Sequence, residues 1–191
     1  MSNYFDPASL QEMNKARLQI FAVREAIYRK FKIDVLDTDA LSSLSIHEIV
    51  SQYDSDYNIN FARNGEDAKS KGILIEQKAT RVEGALTKTG KPRKNAGNDA
   101  SFQFHAEGDL AHPRYIFVAR NKVDLSVVRI YDIGTKANCK IVLKQLLNER
   151  DTWLAKGKKK RDIIMITEKF IKEKLNLPTK KTIAGCLVLK D

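Results

Sequence analysis

The feature that most constrains the fold is an apolar segment at residues 73–80, which reads Ile-Leu-Ile-Glu-Gln-Lys-Ala-Thr. This composition favours a β-strand, in which successive side chains point to opposite faces of the sheet. Glu76 and Lys78 then share one face, and Gln77 lies on the other. A carboxylate and an ammonium on a largely buried strand cost desolvation energy unless they have a partner. A divalent cation held between Glu76 and Asp67, which precedes the strand, is such a partner.

The remaining elements follow from hydrophobic periodicity, caps and turn residues. Helices are predicted over residues 9–31, 45–53, 139–156 and 168–176, with N-caps at Ser9, Ser45, Asn138 and Thr167. Strands are predicted over residues 59–61, 73–82, 100–105, 115–120, 127–133, 163–166 and 183–189. The strand at 115–120 is almost entirely apolar and is expected to be central. The order predicts a single α/β (α+β) domain over residues 1–191, with a central mixed β-sheet flanked by helices.

The charge balance favours a polyanionic partner. The chain of 191 residues has a formal net charge of +10 and an isoelectric point near 9.5, which is typical of proteins that bind nucleic acid or an anionic surface. No apolar run approaches the roughly 20 residues that span a bilayer, and no signal peptide is visible. Cys139 and Cys186 lack the spacing of a zinc site. A protein with reduced cysteines in the cytoplasm is therefore expected.

A basic segment follows the acidic strand. Residues 84–99 contain almost no apolar side chain and many glycines and asparagines, which predicts a loop or β-ribbon. Their cations are candidates for phosphate contacts: Lys88, Lys91, Arg93 and Lys94. In the strand that follows, Ser101, Gln103 and His105 share a polar face, and all three side chains can form hydrogen bonds to base edges. We therefore interpret residues 84–105 as a DNA-contacting insertion.

The acidic strand also suits phosphodiester hydrolysis. This reaction requires neutralised phosphate charge, an activated water and a stabilised leaving oxygen, and Mg²⁺ bound by one or two carboxylates contributes to all three. Asp67 and Glu76 are the candidate ligands, with the main-chain carbonyl of Gln77 as a third. Lys78 is placed to orient or deprotonate the attacking water, or to hold a phosphate oxygen.

The segment Asn64-Gly65-Glu66-Asp67-Ala68, followed by Glu76-Gln77-Lys78, resembles the motif of the PD-(D/E)xK nuclease superfamily. It is most similar to type II restriction endonucleases of the PvuII kind. The resemblance implies a restriction-endonuclease-like fold and a homodimer that cuts double-stranded DNA at a specific sequence. It also implies Mg²⁺ as cofactor, with Asp67 and Glu76 as ligands and Lys78 as the catalytic lysine; no nucleotide cofactor is expected. The chain departs from the superfamily in having Glu66 where the motif has proline.

Two alternatives remain open at the level of sequence. A structure-selective nuclease, such as a junction resolvase or repair nuclease, would add Glu25 on the first helix to the acidic set. A non-catalytic nucleic-acid-binding module would use the acids and Lys78 only as structural ion pairs. His105 and His112 lack a partnering motif and are not expected to bind metal.

Overall fold

The computed structural model describes residues 7–31, 38–60, 67–83, 100–121, 126–157 and 162–191. The helices in these ranges are α1 (Pro7–Phe31), α2 (Thr38–Val50), α3 (Lys136–Ala155) and α4 (Glu168–Lys174). The strands are β1 (Asn58–Ile59), β2 (Ala68–Ser70), β3 (Ile73–Glu83), β4 (Ser101–His105), β5 (Tyr115–Asn121), β6 (Val127–Ile133), β7 (Ile163–Thr167), β8 (Thr179–Ile183) and β9 (Cys186–Lys190). Among these helices none is long and apolar enough to cross a membrane.

The chain forms two compact units, Met1–Ser43 and Leu44–Asp191. The first unit contains α1, which begins at Pro7. Proline suits the first turn of a helix because its φ is already helical and its missing N–H would have no partner there. The predicted N-cap at Ser9 is therefore wrong, since Ser9 lies inside the first turn. Glu25 is exposed on α1 and pairs with Arg29 on the next turn.

A seven-stranded mixed sheet dominates the second unit, with the strand order β1-β2-β3-β5-β6-β9-β8. The pairs β3–β5 and β6–β9 are parallel, and the other neighbours in the sheet are antiparallel. Residues 115–120 of β5 are all buried, which confirms that this apolar strand is central. β4 lies outside this sheet and pairs with β7 in a separate antiparallel ribbon. The predicted class, a mixed sheet flanked by helices, is confirmed.

The two faces of the sheet carry separate hydrophobic clusters, as the alternation of a buried strand requires. One cluster contains Phe117 of β5 and the aromatic side chains of β4, together with residues of α3 and α4. Phe102 and Phe104 pack on Phe117 with ring centres 4.9 and 6.0 Å apart, and burial of each such side chain contributes about 1.5–3 kcal/mol. The opposite cluster places Ile75 against residues of α2. β3 therefore sends Ile75 toward α2 and Val82 toward the β4–β7 ribbon.

Two tight hairpins escaped the sequence prediction. β2 and β3 are joined by Lys71 and Gly72, with φ of 51° and 78°, and β8 and β9 by Ala184 and Gly185, with φ of 47° and 80°. Positive φ at both central residues is the geometry of a two-residue turn that matches the twist of the strands. The single strand predicted at 183–189 is therefore wrong. Residue 183 ends one strand of a hairpin and residue 186 starts the next.

The helix starts were predicted with mixed success. α2 begins at Thr38, so the capping box at Ser45 is wrong: its serine lies inside the helix. α3 has Thr135 as N-cap, and the hydroxyl of Thr135 accepts the N–H of Asn138, which is not the cap. Thr167 caps α4 as predicted by accepting the N–H of Phe170.

A fully buried carboxylate fastens α4 to the rest of the fold. Glu168, the first residue of α4, accepts hydrogen bonds from the Ala100 N–H at 2.9 Å, from Arg129 Nε at 2.7 Å and from the Tyr131 hydroxyl. Lys172 adds a further charge at 3.1 Å. Burial raises the pKa of Glu168, but these donors and cations outweigh burial and hold the pKa at about 2. The Glu168 carboxylate thereby connects α4 to the start of β4 and to the middle of β6.

Candidate active site

Asp67 lies immediately before β2, at the edge of β3. Its carboxylate Oδ2 accepts the main-chain N–H of Gln77 at 2.7 Å, and its own carbonyl accepts the N–H of Asn60 at 2.9 Å. β2 pairs with β3 only as far as Ala68 and Ile75. The side chain of Asp67 therefore provides the hydrogen bond that a longer β2 would otherwise make, and this fixes the carboxylate beside β3.

Glu76 and Lys78 project from the same face of β3, as the alternation predicts. Their carboxylate and ammonium form a direct ion pair, in which the side chains of Glu76 and Lys78 are 13% and 28% exposed. Burial is the main cause that raises the pKa of Asp67, and the charge of Glu76 raises it further. Opposing contributions come from the Gln77 N–H and from the charges of Lys78 and His112. The structure thus brings together Asp67, Glu76 and Lys78.

The backbone of Glu76 is held from the other side by a buried arginine. The N–H of Glu76 donates to the carbonyl of Arg114 at 3.0 Å. The Arg114 guanidinium donates to both carboxylate oxygens of the buried Asp132 at 2.8 and 2.6 Å, and to Asp54 at 2.6 Å. Burial lowers the pKa of Arg114, but the hydrogen bonds and charges of Asp132 and Asp54 outweigh it and raise the pKa above its usual range. This cluster anchors the start of β5 and, through it, the acidic strand.

A cleft of about 520 Å³ opens beside the ion pair. β3 contributes Glu76 and Lys78 to its wall, β4 contributes Phe104 and His105, and the connection between β4 and β5 forms the far side. The ammonium of Lys78 lies 5.3 Å from the centre of the Phe104 ring, within the range of a cation–π interaction. The reactive groups are therefore partly desolvated yet accessible to a ligand in the cleft.

The donor set suits a hard divalent cation. Asp67 and Glu76 supply carboxylate oxygens, and the carbonyl of Gln77 points to the same edge as its N–H because both groups of a strand residue face one side. The Gln77 side chain lies on the opposite, buried face, and its amide has no hydrogen-bond partner among the described residues. Mg²⁺ is usually bound by one or two carboxylates and keeps several waters. Asp67 and Glu76 can provide these two carboxylates. Within the described ranges no cluster of three or more His, Cys, Asp or Glu side chains is arranged to hold a metal.

A second groove, of about 390 Å³, meets the cleft at Lys78. Ser101 and Gln103, both predicted to contact DNA, line this groove with Arg81 and Arg120. The part of its lining that the structure describes contains basic and hydroxyl side chains and no carboxylate. His105 instead lines the first cleft, with Nδ1 3.8 Å from a carboxylate oxygen of Asp162. A polyanion lying along this groove would pass directly over the catalytic lysine candidate.

Some predicted residues lie outside the described ranges. These are the basic side chains of the insertion, Lys88, Lys91, Arg93 and Lys94, together with Glu66 and the Asn64-Gly65 turn. The described part of the insertion is β4, whose polar side chains alternate with the buried phenylalanines as predicted.

Two features of the site were missed by sequence reasoning. His112 lies with Nε2 3.7 Å from Oε2 of Glu76 and is only 14% exposed, and Arg120 lines the basic groove from β5. The parallel pairing of β3 and β5, which places Glu76 opposite Tyr115, brings residues before Tyr115 next to the acidic strand. That register is a long-range property, and only the position of His112 just before an apolar strand could have hinted at it.

No protein-family model matches this sequence, and no curated protein matches it either.

Proposed function

We propose that this protein is a Mg²⁺-dependent endonuclease that cleaves double-stranded DNA at a specific sequence, with a restriction-endonuclease-like arrangement of the PD-(D/E)xK type. The observation that carries the proposal is the meeting of Asp67, Glu76 and Lys78 at β3, where Glu76 and Lys78 line a partly polar cleft. The adjoining basic groove and the net charge of +10 support a polyanionic substrate. The protein would act as a homodimer in the cytoplasm, one subunit on each strand.

In this proposal each residue has a defined task. Asp67, Glu76 and the Gln77 carbonyl would hold Mg²⁺, which when bound would neutralise phosphate charge and lower the pKa of a coordinated water. Lys78 donates hydrogen bonds to the attacking water and keeps it in line with the phosphate. Ser101 and Gln103 contact the duplex beyond the scissile position, so they contribute to sequence reading. The arginines of the groove, Arg81 and Arg120, bind the backbone irrespective of sequence.

One observation favours a second candidate, a nucleic-acid-binding module without catalysis. The direct ion pair between Glu76 and Lys78 satisfies both groups without a metal, as expected of a purely structural pair. No comparable observation favours a structure-selective nuclease, because Glu25 is exposed and already paired with Arg29.

Incubation of plasmid DNA with the protein in Mg²⁺ and in EDTA separates these functions. We expect discrete bands in Mg²⁺ and intact plasmid in EDTA. Lys78→Met should lose cutting by at least about 100-fold, since general acid–base and positioning contributions have that size, while DNA binding in a gel shift stays close to wild type. The matched control is Lys69→Met, on the exposed position of β2, which should cut normally.

Other outcomes identify the alternatives. A smear or nicking that depends on branched DNA would indicate a structure-selective nuclease. A gel shift without any cutting would indicate the binding module. Loss of DNA binding together with cutting in Lys78→Met would contradict the role assigned to this lysine.

A further inference from the structure

His112 is held rigidly beside the acidic strand. It lies in the connection between β4 and β5, and its main-chain N–H donates to the hydroxyl of Tyr115 at 3.1 Å. That hydroxyl in turn donates to the carbonyl of Leu110. The imidazole ring packs edge-on against the Tyr115 ring, with the centres 5.5 Å apart. The ring is thus fixed by the same buried tyrosine that pairs with Glu76 across the strands.

One ring nitrogen of His112 faces two oxygens. Nε2 lies 3.2 Å from the carbonyl oxygen of Asp109 and 3.7 Å from Oε2 of Glu76. A carbonyl oxygen only accepts hydrogen bonds, so Nε2 carries the proton in this contact. The same Nε2–H, which donates to the Asp109 carbonyl, therefore also lies beside Oε2 of Glu76.

The two oxygens of Glu76 therefore have different neighbours. Lys78 contacts Oε1 and His112 lies beside Oε2. A protonated Nε2 has no lone pair to offer a metal, so His112 is not assigned as a ligand. The position of His112 instead suits a role in fixing the orientation of the Glu76 carboxylate.

We infer that His112 is a positioning residue that orients Glu76 for divalent-metal binding. This inference rests on the function proposed above. Outer partners of metal-ligating carboxylates typically change metal affinity or activity by 10–100-fold when removed. Removal of His112 should therefore weaken the affinity for the metal ion. The cleavage rate at saturating metal should change much less.

The test compares His112→Ala and His112→Gln with the wild type over a Mg²⁺ titration of plasmid cleavage. In His112→Ala we expect the half-saturating Mg²⁺ concentration to rise about 10-fold or more, with the rate at saturating Mg²⁺ within about threefold of wild type. The amide nitrogen of glutamine can take the place of Nε2 as donor, so His112→Gln should restore most of the metal affinity. His47→Ala, outside the cleft lining, is the control and should change neither quantity.

A second readout does not depend on cleavage. Free Mn²⁺ measured by electron paramagnetic resonance in DNA-free protein should show the same order of affinity: wild type first, then His112→Gln, then His112→Ala. Equal Mn²⁺ and Mg²⁺ half-saturation in wild type and His112→Ala would overturn the inference and leave the nuclease standing. An equal loss of rate at every Mg²⁺ concentration would also overturn it, because that is the effect of a merely structural residue. A wild type that neither binds Mn²⁺ nor cuts DNA would overturn the proposed function itself.

Discussion

The carboxylate of Asp67 destabilises the metal-free fold. The proposed chemistry nevertheless requires a carboxylate at this position. Its carboxylate is partly buried and lies near the charge of Glu76, and both causes raise its pKa. Like charges placed together at low exposure are typical of sites that bind a cation. The Gln77 N–H is a compensating contact, and a neutral amide oxygen could accept it equally well.

We therefore expect Asp67→Asn to stabilise the metal-free protein at neutral pH while abolishing cleavage. A carboxyl group whose pKa is higher in the folded state than in the unfolded state destabilises the fold at high pH. The effect begins once the pH exceeds the pKa in the unfolded state, near 3.9. The gain should be about 0.5–2 kcal/mol, typical of substitutions that relieve a functional site, and should vanish as the pH falls toward 4. Urea denaturation in EDTA at several pH values measures it.

The control for this substitution is Asp56→Asn. Asp56 is exposed and lies 3.8 Å from Lys71, so its effect on the free energy of unfolding should stay within about 0.5 kcal/mol. Destabilisation of Asp67→Asn at neutral pH would mean that the Asp67 carboxylate stabilises the metal-free fold, as a structural residue does.

At the scale of elements, α4 depends on one buried group. Glu168 connects it to the start of β4 and to β6, so the ribbon that carries the polar side chains of the groove is anchored through this carboxylate. The Thr167 cap was predictable because it is a local pattern. The partners of Glu168 were not predictable, since they lie 37, 39 and 68 residues away in sequence.

Glu168→Gln should cost roughly 3–5 kcal/mol, because it leaves buried cations without their counter-charge. Since the pKa of Glu168 is held at about 2 against an ordinary 4.5, its contribution is complete above pH 4.5 and is lost as the pH falls toward 2. Urea denaturation between pH 3 and 7 should show this acid-dependent loss in the wild type and a weaker one in the variant.

Glu173→Gln, on the same helix, is the matched control. Its carboxylate is exposed and lies 3.8 Å from Lys169, so the cost should remain below about 1 kcal/mol. Equal costs for the two substitutions would mean that the buried cluster around Glu168 does not stabilise α4.

At the scale of the whole molecule, sequence predicted what depends on local periodicity. The shared face of Glu76 and Lys78, the central position of β5 and the mixed α/β class follow from alternation and burial. The pairing of β4 with β7, instead of a place in the large sheet, depends on contacts between distant segments that no local pattern encodes. The β8–β9 hairpin was missed because Ala184 adopts a positive φ that alanine rarely takes.

The candidate site divides in the same way. The approach of Asp67 to β3 follows from a turn and a strand that are neighbours in sequence, so it could be predicted. The approach of His112 to Glu76 requires the parallel register of β3 and β5, and that of Arg120 to the groove requires the packing of β4 over the sheet. Neither is visible in the spacing of residues.

A crystal of the protein soaked in Mn²⁺ tests the central claim, that Asp67 and Glu76 hold one divalent cation. Mn²⁺ takes the same oxygen ligands as Mg²⁺ and is located by its anomalous scattering. We predict one peak at about 2.0–2.2 Å from a carboxylate oxygen of Asp67, a carboxylate oxygen of Glu76 and the carbonyl oxygen of Gln77, with Lys78 displaced from Glu76. A crystal without that peak, in which Glu76 remains bound to Lys78 at saturating Mn²⁺, would contradict the claim.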